Sequence, residues 1–140
     1  MGMYTELCFA SKLKRDVPQA IIDVLEYQIN KGAPLPELPD HPFFKCARWQ
    51  CLAWMDSAYF DGGPAPFFGK REYSDQYTIQ IWCNLKNYDN EIEHFINWIT
   101  PYLDRIETEY LGYVRYEETD VPTLIYHPDT FETPVIKGRA

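Results

Sequence analysis

The residues that could do chemistry are three histidines, four cysteines and 21 acidic residues, so their spacing decides what they could form. His41, Cys46 and Cys51 follow one another with four residues between each pair. A zinc site needs a fourth ligand and closer pairing than this spacing offers. Free cysteines are more often small buried apolar residues. The sequence therefore predicts no metal site and no bound cofactor.

Nucleophilic catalysis would need a serine or cysteine, a histidine and an orienting acid that converge in space. No glycine-framed elbow surrounds a serine or cysteine, and His94 is expected on a solvated helix face. Glu117 and Glu118 are adjacent, so in a strand they would point to opposite faces rather than form a carboxylate pair. No catalytic residue is predicted, and a small hydrolase that uses His127 or His41 with a nearby acid stays as an alternative.

Charge and aromatic content favour a binding protein. The formal net charge is −8 and aromatic residues make up 16% of the chain. Such acidity suits encounter with a basic protein surface, whereas nucleic-acid binding would need a dense basic cluster that the sequence lacks. We predict that a protein partner is contacted by acidic residues together with loop aromatics: Glu117, Glu118, Asp120, Phe67 and Phe68.

A small-ligand binder, such as a protein that sequesters a nucleotide signal, is the second interpretation. Tyr77 and Trp82 could stack a base, while Lys12 and Arg71 could meet a phosphate.

The first elements follow from hydrophobic periodicity. Residues 4–13 predict a strand, and residues 21–29 have the spacing of an amphipathic helix, with Asp16 as its N-cap and Gly32 at its end. Residues 33–42 contain four prolines and predict an extended connector.

The middle of the chain is rich in aromatic residues. Residues 43–60 predict a strand that ends near Phe60, before the DGGPAP turn. Residues 67–75 are predicted as a loop or a short strand, and QYTIQIWCNL alternates clearly enough to predict a strand over residues 76–85.

The last third predicts a second helix, two strands and a tail. Asp89 or Asn90 caps the helix, and Pro101 kinks or ends it. Its apolar stripe consists of Ile92, Phe95, Ile96, Ile99, Leu103 and Ile106. Strands are predicted over residues 110–117 and 123–127, and a loosely held tail over residues 128–140.

This order of elements predicts an α+β two-layer sandwich, with a mostly antiparallel sheet and two helices on one face. The βαββαβ core suggests a ferredoxin-like topology with an extra C-terminal strand. Exposed strand edges are compatible with a homodimer.

The chain is expected to form a single domain over residues 1–140, with Met1-Gly2 as a non-native addition before Met3. No apolar run approaches the roughly 18 residues of a membrane span, and no signal peptide is visible. We therefore expect a cytoplasmic protein with free thiols that does not contact a membrane.

Four stretches together resemble a group of small uncharacterised proteins encoded by bacteriophages and prophages. They are MYTEL from residue 3, LPDHPFF at 38–44, NLKNYDNEIEHFINWITPYL at 84–103 and YEETDVPTLIY at 116–126. The group has no catalytic motif to carry over, so the resemblance implies a context rather than a residue's role. That context is a bacterial host cell, where small acidic phage proteins bind and inhibit or modulate a host protein, including anti-phage defence proteins.

Overall fold

The computed structural model describes residues 3–57, 60, 63–119 and 121–134. Within these residues, the chain forms two α-helices and one sheet of six antiparallel strands. The architecture is α+β, as the sequence predicts. The strands are β1 (Thr5–Lys12), β2 (Phe67–Lys70), β3 (Tyr77–Leu85), β4 (Tyr110–Tyr116), β5 (Thr123–Tyr126) and β6 (Thr130–Glu132), and the helices are α1 (Gln19–Ile29) and α2 (Glu91–Ile99).

β1 lies inside the sheet, whose strand order is β2-β3-β1-β4-β5-β6. Leu7 is opposite Cys83 and Val114, and Phe9 is opposite Ile81. Directly opposed residues point to the same face of a sheet. These apolar side chains therefore share one face, and the alternate residues of the three strands point to the other.

Both helices pack on the apolar face. The rings of Phe9 on β1 and Phe95 on α2 meet edge to face, with their centroids 5.7 Å apart. Val24 and Leu25 of α1 are fully buried in the same hydrophobic cluster. None of the helices in the described part of the chain has the length and apolarity that a bilayer crossing requires.

The start of α1 differs from the predicted capping pattern. Pro18 occupies the N-cap position with an extended backbone, so the prediction that Asp16 caps this helix is wrong. The carbonyl of Pro18 accepts the backbone N–H groups of Ile21 and Ile22, at 3.0 and 3.3 Å. Backbone bonds and the fixed φ of proline therefore define the first turn. Gly32, just beyond the helix, has φ +92°, which fits its predicted place after the end of the helix.

Pro101 ends α2 rather than kinking it. Asn90, one of the two predicted caps, occupies the N-cap position, and α2 stops at Ile99, before a 3-10 turn over residues 100–102. The predicted apolar stripe was too long, because Ile106 lies beyond the helix and is 72% exposed.

The prediction of a strand over residues 43–60 is wrong. The described part of this segment contains two 3-10 turns, Pro42–Lys45 and Leu52–Trp54. Phe43 is fully buried and stacks on Trp98 of α2 with a centroid separation of 5.8 Å, and Trp49 belongs to the same core. Packing against the helix layer therefore overrides the β propensity of these aromatic residues.

The edges of the sheet are short strands. β2 is the short-strand alternative predicted for residues 67–75, and β6 lies inside the segment predicted as a loose tail. Phe131 of β6 is opposite Ile125 and packs against the core, while residues 135–140 lie outside the described residues.

Because both β5 and β6 continue the sheet beyond β4, the whole-sheet order differs from that of a ferredoxin-like core with one extra strand.

Candidate functional site

The predicted partner-binding residues lie in two separate places. Glu117 and Glu118 follow β4, whereas Phe67 and Phe68 lie on β2, three strand steps away, or roughly 14 Å across the sheet. Asp120 lies outside the described residues. The acidic residues and these two aromatic residues therefore do not form one surface.

The expectation that Phe68 is an exposed loop aromatic is wrong. Its side chain is buried on the helix-covered face, and its ring stacks on Tyr77 with a centroid separation of 5.0 Å. Phe67 points to the opposite face, where the guanidinium of Arg71 lies 4.4 Å from its ring centroid. The strand alternation of β2 thus separates the two phenylalanines.

The structure places two other aromatic residues beside the predicted acids. Tyr88, in the loop between β3 and α2, is 65% exposed, and Tyr116, at the end of β4, is 40% exposed. The carboxylates of Glu117 and Glu118 and the side chain of Tyr88 all act electrostatically on the Tyr116 hydroxyl. We call Tyr4, Tyr88, Tyr116, Glu117 and Glu118 the tyrosine–glutamate patch.

The ends of three central strands bring the patch together. Thr5 at the start of β1 is opposite Leu85 at the end of β3 and Tyr116 at the end of β4. The backbone N–H of Glu117 donates to the carbonyl of Tyr4 at 3.0 Å, and its carboxylate accepts the N–H of Tyr4. Backbone pairing at the strand ends therefore fixes Tyr4, Tyr116 and Glu117, whereas Tyr88 is presented from the loop between β3 and α2.

The charges of Glu117 and Glu118 make the patch an acidic surface. The pKa of Tyr116 is raised, first by desolvation and then by the charges of Glu118 and Glu117 and by Tyr88. A cation lies nearby, since the ammonium of Lys86 is 5.6 Å from the centroid of the Tyr4 ring. The patch therefore combines flat aromatic surface, hydroxyl donors and negative charge.

The residues predicted for the small-ligand alternative do not converge. Tyr77 belongs to the helix-covered face, whereas Trp82 points to the other face. The indole N–H of Trp82 donates to Glu6 Oε2 at 2.7 Å, and Gly63 lies directly against its ring. Arg71 is engaged by Phe67, as above, and by Gln80 Oε1 at 3.2 Å.

Lys12, the remaining residue of that set, lies at the end of β1, far along the strand from Trp82. It is opposite Thr78, whereas Trp82 is opposite Cys8. Four residues of extended strand separate the two positions, or roughly 13 Å. Trp82 and Lys12 therefore do not lie side by side, although both are on the uncovered face of the sheet.

The histidines of the hydrolase alternative have structural partners. The Nδ1 atom of His41 accepts the backbone N–H of Phe43 at 3.1 Å, and its Nε2 atom is 2.8 Å from Asn97 Oδ1. The Nε2 atom of His127 donates to the carbonyl of Thr100 at 3.1 Å. Each imidazole therefore secures the backbone of a turn.

Three of the four cysteine thiols, those of Cys8, Cys46 and Cys83, are disfavoured as nucleophiles. Burial raises the pKa of Cys8, Cys46 and Cys83, and neighbouring carboxylates raise it further. Nucleophilic attack requires the thiolate form. In the part of the chain that the structure describes, no group of three or more His, Cys, Asp or Glu residues could hold a metal ion.

Two buried ion pairs were missed by the sequence analysis. Glu6 Oε1 lies 3.0 Å from Arg115 Nε, and Glu91 Oε2 lies 2.9 Å from Arg48 Nε. Both carboxylates are buried. The position of Glu6 on the polar side of the alternating first strand was the available signal, but its partner comes from a strand more than 100 residues later.

No protein family, curated protein or solved structure matches this chain. The function is therefore inferred from the residues on the surface of this protein.

Proposed function

We propose that this protein is a non-catalytic phage or prophage accessory protein that binds and inhibits or modulates a bacterial host protein, such as an anti-phage defence protein. The observation that carries the proposal is the exposure of Tyr88 and Tyr116 beside Glu117 and Glu118, where the backbone of Glu117 is tied to that of Tyr4. The resemblance to phage-encoded proteins supplies the cellular context, a bacterial cytoplasm.

Tyrosine is well suited to such a surface. Its ring provides a large contact area with few rotatable bonds, and its hydroxyl can still donate a hydrogen bond. Tyrosine is also among the residues whose removal costs most at protein interfaces. We therefore assign Tyr88 and Tyr116 to the centre of the contact.

The acidic residues fit a partner with a basic rim. The chain carries a net charge of −8, and the carboxylates of Glu117 and Glu118 add local negative potential. Complementary charge speeds encounter and selects the partner more than it increases affinity. A stable interface buries about 800 Å² on each side, so neighbouring residues must complete the contact.

We also propose that the first four strands and the two helices form a ferredoxin-like unit inside the larger sheet. The βαββαβ order and the succession β2-β3-β1-β4 support this assignment. In that arrangement, the patch lies where strand ends and the β3–α2 loop meet. Many unrelated functions occur on such a unit, so the fold by itself does not indicate the partner.

The test is capture of bacterial proteins with three immobilised forms of the chain. The first is the unchanged protein, the second is Tyr88→Ala/Glu118→Lys, and the third is the control Glu72→Lys/Tyr73→Ala. The control pair is matched because both residues are exposed, Tyr73 at 99%. Both double variants lose one tyrosine and make the same change of charge.

We expect one host protein whose retention falls by at least about tenfold with the patch variant and stays unchanged with the control. The purified host protein should then lose or change its own activity when the unchanged chain is added, and not when the patch variant is added. Equal retention by all three forms would exclude the patch as the contact surface.

A further inference from the structure

A groove that none of the preceding assignments uses lies beside the C-terminal end of α1. Its volume is about 460 Å³, within the range of small-molecule sites. One wall comes from the end of α1 and the residues that follow it, and the other from the turn around Leu52–Trp54. The lining residues are Tyr27, Gln28, Lys31, Gly32, Ala33, Gln50, Cys51 and Trp54.

Trp54 presents an aromatic surface in this groove. Its side chain is 40% exposed, although its indole N–H donates to the carbonyl of Ile29 at 3.1 Å. That hydrogen bond ties the ring to the end of α1 and fixes the indole plane. The exposed part of the ring is therefore preorganised for stacking.

Lys31 supplies a cation at the same place. Its ammonium group lies 4.6 Å from the centroid of the Trp54 ring. Such an exposed cation–π contact is weak and the lysine side chain is flexible, so the ammonium can move aside at small cost. The indole face and a mobile positive charge are thus available together.

The remaining polar groups are fixed or carry spare donors. Gln28 is buried and donates to the carbonyl of Trp49 at 2.8 Å. The hydroxyl of Tyr27 donates to Gln50 Oε1 at 2.9 Å, which orients the exposed Gln50 side chain. The amide nitrogen of Gln50 carries two hydrogens that can serve a ligand.

The charge of the lining indicates the sign of the ligand. Among the described residues, the eight that line the groove include no acidic residue, and Lys31 carries their one formal charge. The nearby acids Asp23 and Glu26 line an adjoining depression, which shares Ala33 with the groove, rather than the groove itself. The groove therefore favours an anion over a cation.

We propose that this groove binds a small planar aromatic anion, a ring that carries a phosphate or carboxylate group. The ring replaces the ammonium of Lys31 on the indole face of Trp54, and the displaced ammonium pairs with the anionic group. Gln50 donates to polar atoms on the ring. This site shares no residue with the tyrosine–glutamate patch, so either proposal can fail without the other.

The experiment is a titration of the full chain, labelled with ¹⁵N, that follows the Trp54 indole N–H signal and also the backbone amide signals of Lys31 and Gly32, which Trp54→Ala retains. The probes are AMP and 2-naphthoate as planar anions, with adenosine as the neutral ring and inorganic phosphate as the anion alone. The variants are Trp54→Ala and Lys31→Met. Lys70→Met is the matched control, because the Lys70 ammonium lies 5.1 Å from the Tyr77 ring centroid in another surface cation–π pair.

We expect AMP, 2-naphthoate or both to shift the Trp54 indole signal, with binding at least tenfold weaker in Trp54→Ala and Lys31→Met and unchanged in Lys70→Met. A response to AMP alone would indicate a purine ring with a phosphate, and a response to 2-naphthoate alone a hydrocarbon ring with a carboxylate. Equal binding of adenosine and AMP, equal binding of phosphate and AMP, or no shift at millimolar concentrations of either planar anion would overturn the proposal.

Discussion

The helix-covered face of the central strands is apolar, whereas their opposite face contains a buried charge. On the covered face, Phe9 and Ile81 lie opposite each other in a hydrophobic cluster. On the opposite face, the carboxylate of Glu6 is 3.0 Å from Arg115 Nε and accepts the indole N–H of Trp82 at 2.7 Å.

Phe60 and Gly63 cover part of the opposite face, and both contact the polar residues there. Gly63 lies against the Trp82 ring, and the guanidinium of Arg115 lies 5.0 Å from the centroid of the Phe60 ring. Gly63 admits no side chain here, because a Cβ atom would lie 2.3 Å from a ring carbon of Trp82. The ion pair therefore helps to define where the covering chain lies.

Because the two faces differ in this way, we expect them to respond to different kinds of substitution. Apolar burial has no direction, so the covered face is sensitive to the volume that is removed. A buried ion pair is sensitive to the loss of one partner, because the remaining charge stays desolvated and unpaired. Neighbouring residues of one strand can therefore have very different mutational costs.

The largest effect is expected for Phe9→Ala on the covered face. Removing this fully buried ring should lower the free energy of unfolding by about 3–5 kcal/mol, because a cavity replaces it. Cys8→Ala, one residue away on the other face and only half-buried, should cost less than about 1 kcal/mol. Urea unfolding followed by circular dichroism measures both. Similar costs for the two variants would contradict the distinction between the faces.

Arg115→Met should have the next largest effect, about 2–3 kcal/mol, since it leaves the carboxylate of Glu6 buried without its cation. The estimate stays moderate because the Arg115 side chain is 42% exposed. The double variant Glu6→Gln/Arg115→Met should be more stable than Arg115→Met, because a neutral amide can still accept the Trp82 N–H. If the double variant loses, relative to the unchanged chain, the sum of the costs of the two single variants, the two side chains are not coupled.

Local periodicity explains which parts of the fold were predictable. The alternation of β1 and β3 and the apolar stripes of both helices are patterns within one segment, so they indicated these elements correctly. Residues 43–60 carry the composition of a strand, but Phe43 and Trp49 pack against the helix layer instead. That choice depends on partners such as Trp98, which lie far away in the sequence.

The candidate site was predictable only in part, for the same reason. Glu117 and Glu118 were singled out as acidic residues at the end of a strand predicted over residues 110–117, and in the structure both follow β4, which ends at Tyr116. Tyr88 and Tyr116 are 28 residues apart in the sequence, and they meet because the ends of β3 and β4 flank the start of β1. The pairing of Lys31 with Trp54 likewise follows from the path of the chain between them rather than from any local motif.

The smallest effect concerns Tyr113, which lies on the second face beside Glu6. Desolvation and the charges of Glu6 and Cys8 raise the pKa of Tyr113 to about 12, and the charge of Arg115 opposes this shift. The Tyr113 hydroxyl also forms a hydrogen bond with Glu6. The usual value for tyrosine is about 10. The pKa of Tyr113 is higher in the folded protein than in the unfolded chain. The contribution of the protonated Tyr113 to the free energy of unfolding is therefore fully present below about pH 10 and is lost as the pH rises from about 10 to 12. Tyr113→Phe should therefore flatten the fall in stability over this range.

Urea unfolding at several pH values between about 9 and 12 compares the unchanged chain with Tyr113→Phe. The comparison must use the difference between the two proteins, because the pKa values of Tyr110 and Tyr116 are also raised, mainly by desolvation. Ultraviolet absorbance of the phenolate should show that the variant lacks the component that titrates last. Identical pH profiles for the two proteins would mean that desolvation and the charge of Glu6 do not hold the Tyr113 phenol in its protonated form.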